Sequence, residues 1–516
     1  MLLPKQNHPI AFVNFFSLAI VALTLLPCCG LIFHMWNPPP DPYGLPLPSI
    51  LEIFETQHLW TLLLRTMVLG IFVGLGSVFL GSCFAYVEQF YTYRAQKLFS
   101  LLCLLSLAMP SYILAATIGY FFDINNSEYS LLFAILILTL STTPYAHLTT
   151  KSALSVISSS EIESLEILGG NGFQKFKILI WPQIRGAMMF SFLISFLYSI
   201  SDFGAVATLN VPVLTFKLYQ AVQYSDIYSA TIMGFSLIFC TLPILLVLRR
   251  MRNTQRSFVS NIRPLQPKKA SWMIQCSIYI VQFSFGFLAC ILPFYQISIW
   301  IWQGLERNRN LPNIWDATIG SLSIAILGAA ITVILAFFPA WSTSQYPKWK
   351  WLQQVIYLSS AFPGILVAFA LLLCSLLFGG YQIWSSLGIL LFMGLSIRFV
   401  AEAFGPLQAS FSQLDKRQYD SAVMLGSSLQ KWFSYILYPH IQKALQISFV
   451  ISFLAIVKEL PITLLLGSGI SPTLAFRIWD RYNEALFFEV GIYSIILLLI
   501  SGYFTWKFVL QPSKNQ

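Results

Sequence analysis

The chain has 516 residues, of which 57% are hydrophobic and 10% charged, with a formal net charge of +10. Soluble domains carry about 25% charged residues, so this composition excludes a soluble globular protein, a disordered chain, a disulfide scaffold and a nucleic-acid-binding domain. It leaves an all-α membrane protein, because an apolar segment in hydrocarbon must satisfy its own backbone hydrogen bonds.

Each gap between charges that holds about 20 residues is read as one span. The first, near 11–33, is read as uncleaved, since Leu26-Pro27-Cys28-Cys29 is a poor signal-peptidase site. Arg65 to Glu88, Lys97 to Asp123 and Glu128 to Lys151 bound three more. A fifth, near 186–208, contains Asp202. Asp226 to Arg249, Lys269 to Glu306 and Asp316 to Lys348 bound the sixth to eighth. Residues 351–397 are uncharged; as one helix they would be about 70 Å long, so they form two spans turning near Gly379-Gly380-Tyr381-Gln382. An eleventh, near 444–467, contains Lys458 and Glu459, and a twelfth lies near 487–509. With both termini cytoplasmic, 22 of the 30 basic residues fall on the inner side and 5 on the outer, a strong positive-inside bias.

The eight cysteines are spread through the spans without a C-x-x-C and read as packing residues. The five histidines are scattered and read as interface or surface residues. Gly70 and Gly74, four apart, suit a close helix approach.

The chain repeats itself. ESLEILGGNGFQKFKILIWP at 163–182 and DSAVMLGSSLQKWFSYILYP at 420–439 share an acid, a glycine six residues later and a proline thirteen after that. The next segments, IRGAMMFSFLISFL and IQKALQISFVISFL, follow at the same offset of 257. LAMPSYILAATIGY at 107–120 resembles SAFPGILVAFALLL at 360–373. The chain therefore divides into a first half at 1–248 (core about 60–248), a basic linker at 249–271 and a second half at 272–516 (core about 315–510). Six spans per unit give both copies one orientation, unlike inverted-repeat transporters. Each repeated loop reads as helix, glycine break and short helix. In the first, Ser160-x-x-Glu163 is the expected capping box, Gly169-Gly170 the stop, Asn171 the second cap and Pro182 the end. In the second, Asp415 is the expected cap, Gly426 the stop, Ser428 the second cap and Pro439 the end. Phe173, Phe176, Trp432 and Phe433 are expected as exposed knobs for a partner's groove.

These segments resemble the EAA loop of binding-protein-dependent ABC importer permeases, which have a MetI-like fold of two parallel six-span units, about 12 spans in all. The resemblance implies that Glu163, Gly169, Phe176 and Pro182, and Asp420, Gly426, Phe433 and Pro439, seat coupling helices on two cytoplasmic ATPase subunits. Ser164-Leu165 and Ser421-Ala422 replace the family's Ala-Ala. Ser201-Asp202-Phe203-Gly204 and Lys458-Glu459-Leu460-Pro461, together with TLAFRIW at 473–479, are similar to fused permeases of the iron(III) group. Thiamine, polyamine and phosphonate importers are near relatives, and an ion-coupled secondary transporter is the alternative from another class. The resemblance implies a bacterial inner-membrane permease served by a periplasmic binding protein, itself binding no cofactor and using ATP-Mg on its partner. No G-x-x-x-x-G-K-[ST] occurs in the chain.

Charge inside a span is costly and defaults to function. Asp202, Lys458 and Glu459 are candidates for the path or gate; Lys458 pairing with Asp202 or Glu459 is the structural alternative.

Overall fold

The computed structural model describes residues 7–37, 50–121, 127–252, 267–359, 362–377, 388–414, 424, 429–467 and 472–507. The described residues are almost wholly helical. The first half runs α1 (Asn7–Trp36), α2 (Ile50–Thr56), α3 (Leu59–Phe90), α4 (Gln96–Leu105), α5 (Ser111–Gly119), α6 (Ser127–Leu154), α7 (Ser159–Ile167), α8 (Gly172–Lys175), α9 (Trp181–Ser201), α10 (Gly204–Thr208), α11 (Leu214–Gln223) and α12 (Ile227–Arg252). The second runs α13 (Trp272–Gly286), α14 (Leu292–Glu306), α15 (Ile314–Gln345), α16 (Lys350–Ser359), α17 (Gly364–Leu377), α18 (Ile389–Ser412), α19 (Leu429–Trp432), α20 (Tyr438–Val457), α21 (Pro461–Leu466), α22 (Leu474–Asn483) and α23 (Phe487–Thr505).

Ten helical segments are long and apolar enough to cross a membrane, or twelve if each of two bent pairs is one span. Those two pairs depart from the simple reading of the sequence. Between α4 and α5 the chain turns by 102°, and between α16 and α17 by 99°. The cause is local. Pro110 and Pro363 offer no amide to the helix and push the residue before them out of the α region; Met109 and Pro110 are accordingly extended. Neither hydropathy nor charge spacing registers such a break. The turn expected at Gly379–Gln382 lies outside the described residues.

The repeat is visible element by element. α3 and α15 each have 32 residues and end at an extended tyrosine, Tyr91 and Tyr346. α3 packs on α6 and α9, as α15 packs on α18 and α20. Near the start of each long helix, a hydroxyl receives the first amide of the corresponding short helix: Leu214 N donates to Thr66 Oγ1 at 3.1 Å, and Leu474 N to Ser321 Oγ at 2.6 Å. Gly70 and Gly74 do face a close neighbour, with the Phe196 and Phe192 rings of α9 lying on them.

The leading helices are exchanged. α1 packs against α15, α16 and α17, while α13 lies on α4 and α14 on α5 and α23. Trp300 of α14 is 2% exposed and stacks on Phe487 at 5.2 Å, with Tyr120 of the first half edge-on to both rings. Near the end of the linker, β2 (Lys268–Lys269) pairs in parallel with β1 (Tyr91–Thr92), just beyond α3. One apolar core runs through both halves; a small cluster of Ala85, Leu154, Ile157, Ile180 and Ile184 supports the first repeated loop.

Candidate functional site

The first repeated loop lies at the α3 C-terminal end of the bundle, beside the linker. α7 starts two residues earlier than expected: the capping box is Ser158 with Glu161, and Ser158 N donates to Glu161 Oε2 at 3.2 Å. Glu163 is therefore inside the helix and exposed, with no capping role. The stop is as expected. Gly169 has φ +77°, and Gly170 N donates back to Leu165 O at 2.9 Å, the six-to-one bond of a Schellman ending. Asn171 and Gln174 exchange reciprocal bonds of 2.9 Å, so Asn171 is the second cap.

Pro182 opens α9 and does not end the element before it. Residues 176–180 form a π turn in which Trp181 N donates to Phe176 O, so 172–201 is one continuous helix. Widening the turn by one residue accommodates a proline that lacks the ordinary amide. The second copy repeats the device: Tyr438 N donates to Phe433 O, and Pro439 opens α20. Asp415, Asp420, Gly426 and Ser428 lie outside the described residues.

The loop presents apolar side chains outward. Ile167 is 86% exposed, Leu168 85% and Phe173 71%; Phe176 and Phe433 are also exposed. Trp432 is not a free knob, because it packs edge-on to Trp341 at 5.6 Å. Glu166 accepts from Lys175 Nζ at 2.6 Å and from Lys268 Nζ of the linker at 3.4 Å. Those two ammonium groups, Lys175 first, hold the Glu166 carboxyl below its ordinary range.

Sequence reasoning missed the cluster behind this loop. Glu88, read as a span boundary, has a side chain only 2% exposed and accepts from Lys151 Nζ at 2.7 Å and His147 Nε2 at 3.1 Å. His147 is buried at 1% exposure, and buried His34 lies 3.3 Å from Leu373 O, so neither is a surface histidine. The repeat held the signal. With Tyr91 matched to Tyr346, position 88 corresponds to Thr343, and Gln408, 257 residues after Lys151, donates to Thr343 Oγ1 at 3.4 Å and to Gln353 Oε1 at 2.8 Å.

The second site lies between the halves, where four helix breaks meet. Asp202 closes α9, and both its oxygens are engaged: Ser111 Oγ donates to Oδ2 at 2.5 Å and Ala205 N to Oδ1 at 2.8 Å. Asp202 thus ties the α9–α10 corner to the start of α5. Lys458 makes neither expected ion pair. Its Nζ donates to Leu107 O at 2.8 Å, across the halves, supplying a carbonyl that the broken helix leaves without a partner. Ser501 of α23 donates to Ala108 O at 3.1 Å in the same way. Glu459 stands where Asp202 stands in the other copy, beside Gly364, with Oε1 buried and without a hydrogen-bond partner. Arg398 and Lys458 both lie within electrostatic reach of Glu402. Among the described residues, no group of three His, Cys, Asp or Glu side chains forms a metal centre.

Asp202→Ala removes two bonds to a charged acceptor, each worth roughly 1.5–3 kcal/mol. Purified in detergent, this variant is expected to unfold at clearly lower temperature than the parent, whereas Asp202→Asn, which keeps one acceptor, loses less. An unchanged midpoint for Asp202→Ala would refute the tie.

Residues 77–256 match the family described as the inner membrane component of binding-protein-dependent transport systems. An Fe(3+)-transport system permease protein of Haemophilus influenzae is 27% identical over 468 residues, covering 88% of this chain and 91% of that protein. The 77–256 segment of this chain is similar to binding-protein-dependent permeases. A ferric transport system permease protein of Actinobacillus pleuropneumoniae is 22% identical, over 88% of this permease and 71% of its own length. A probable sulfate transport system permease protein of Prototheca wickerhamii is 22% identical over 213 residues, 38% of this permease and 82% of the relative. The permease is thus a multi-pass inner-membrane component of an ABC-type importer, in keeping with its apolar helices and the repeated loop.

Proposed function

We propose that this permease carries ferric iron across a bacterial inner membrane, driven by ATP hydrolysed on a separate polypeptide. The cargo is supported by the two ferric relatives, each aligned over 88% of the chain. The observation that carries the drive mechanism is the first repeated loop, a rigid, twice-capped turn that projects Ile167, Leu168 and Phe173. Exposed apolar side chains outside the spans mark a docking surface. With both termini cytoplasmic, the two loops face inward and dock one ATPase subunit each, which holds ATP-Mg; Glu163, Gly169, Phe176, Pro182, Asp420, Gly426, Phe433 and Pro439 shape these contacts. A loaded periplasmic binding protein docks at the opposite end, near α11 and α22.

ATP binding draws the two subunits together and moves the loops. Because 172–201 is one continuous helix, motion at Phe173 passes along α9 to the break at Asp202. The halves then exchange inward and outward states, and ATP acts by binding one state better than the other. The route runs through the seam that carries Asp202, Lys458 and Glu459.

The test is uptake of radioactive ferric iron into proteoliposomes holding the permease, its ATPase and its binding protein. Uptake is expected to require internal ATP and to persist when a proton ionophore is added. Uptake that continues without the ATPase and stops with the ionophore would identify a secondary transporter instead.

A further inference from the structure

Two helices terminate side by side at the end of the bundle opposite the repeated loops. The linker strand β2 lies beside β1 at the loop end, and the 35-residue stretch Trp272–Glu306 carries the chain from there to the other face. α14 stops there with Asn308 at φ +50° and Arg309 N donating to Gly304 O at 3.1 Å, the six-to-one bond of a Schellman ending. α22 stops in the same way: Ala485 has φ +57°, Leu486 N donates to Arg481 O at 2.9 Å, and α23 begins at once. The Phe488 ring lies on Gly304, where a β-carbon would collide with it. Between the two endings is a cavity of about 350 Å³, lined by Trp300, Gln303, Arg307, Arg309, Asn310 and the first turn of α23.

The lining is rich in donors and poor in acceptors. Among the described residues, Arg307 and Arg309 make no ion pair. Glu489, the carboxylate that lines the cavity, is already held by Arg481 at 3.2 Å. Trp300 is 2% exposed, and its indole N–H is buried without a hydrogen-bond partner. The first amides of α23, at Phe487 and Phe488, have no acceptor within the helix and carry the positive end of its dipole. Buried polar groups are normally satisfied, so an orphaned indole in the wall of a doubly basic cavity asks for an acceptor. A phosphate supplies several oxygens at once and suits the arginine fork. The flank of the cavity is apolar. Trp302, Leu305, Leu311 and Trp315 lie within six residues of Arg307 or Arg309 and are 53–73% exposed. Exposed indoles at the end of a span form an interfacial belt, so this flank meets lipid headgroups.

We propose that this cavity binds the headgroup of an anionic phospholipid from the adjoining leaflet, its phosphate on Arg307, Arg309 and the Trp300 N–H and its hydroxyls on Gln303 and Asn310. Trp300 also touches Phe487 and, from the first half, Tyr120. An occupied cavity therefore braces a contact between the two halves, and the lipid composition of the leaflet bears on how firmly they hold together.

The test uses the full chain purified in detergent, with phosphatidylglycerol or phosphatidylcholine added back. Native mass spectrometry reads the lipid retained, and a melting curve reads the thermal midpoint. Phosphatidylglycerol is expected to be retained in preference to phosphatidylcholine and to raise the midpoint. The double variant Arg307→Gln, Arg309→Gln changes two exposed positions and is expected to weaken phosphatidylglycerol retention by about tenfold or more, as the loss of two basic residues beside anionic lipid does. Trp300→Phe keeps a ring against Phe487 without the N–H and should weaken retention severalfold. Lys97→Gln, an exposed charge at the loop end, should retain lipid as the parent does. Parental retention in the double variant would overturn the site, and an accompanying loss of affinity for the binding protein would place the two arginines at a protein interface instead. An equal rise in midpoint with inorganic phosphate alone would overturn the lipid assignment and mark a site for the free anion.

Discussion

Replacing Gly169 with valine is expected to reduce uptake by about tenfold or more while the chain still inserts and purifies in normal amount. Gly169 sits at φ +77° with nothing within 4 Å of a built β-carbon. The substitution therefore meets no steric wall, and its cost is conformational: a left-handed residue costs roughly 1–2 kcal/mol for an ordinary side chain, with β-branching adding to it. The least costly relief is to unwind the turn, which rotates Ile167 and Leu168 away from Phe173. The spans do not depend on that turn, so insertion survives. Gly169→Asn, which tolerates the left-handed region, should keep most of the uptake. The informative measurement is the ratio of ATP hydrolysed to iron imported in proteoliposomes: it should rise sharply for valine and little for asparagine. Normal coupling in Gly169→Val would show that the turn does not transmit force.

The largest loss of stability is expected at Lys151. Changing it to methionine leaves the Glu88 carboxylate buried with only His147 to answer it. Stripping a partner from a buried pair costs about 3–5 kcal/mol. Lys151 is 42% exposed and His147 remains, so solvent screening lowers the expected cost to roughly 2–3 kcal/mol. The second half shows how the position works without charge, since Thr343 and Gln408 occupy the equivalent places and bond one another. The double variant Glu88→Gln, Lys151→Gln should accordingly recover most of the lost thermal midpoint, well above Lys151→Met alone. A double variant less stable than the single one would mean that the charge itself is required.

What was legible followed from patterns that survive in one dimension. The Gly169 stop and the Asn171 cap depend on neighbours within a few residues, and the structure places both where the sequence did; of the twelve apolar intervals, ten return as single long helices and two as bent pairs. Pro182 and Pro439 were misread because a proline inside a helix ordinarily ends it; the π turn that accommodates both leaves no mark in composition. Glu88 was missed because an acid at the end of an apolar run looks like a solvated loop charge, and its partners lie 59 and 63 residues away. The pairing of Lys458 was misjudged for a related reason. Counting charges favours a carboxylate, but a broken helix leaves a carbonyl in the same place, and carbonyls do not appear in a charge count.

The exchange of leading helices sets an order of events during synthesis. α1 packs on α12 within the first half, but mainly on α15, α16 and α17, some three hundred residues later. At about 5–20 residues per second, α1 waits on the order of 15–60 s in the bilayer before these later partners exist. α4 and α5, which pack on α6 and α10 within the first half, still wait for α13 and α14 to cover them. Neither half is closed when the ribosome reaches the linker, and the last helices to emerge complete the first half as well as the second. Carrying both halves on one polypeptide turns this late mutual docking into a first-order step, independent of how many copies the membrane holds.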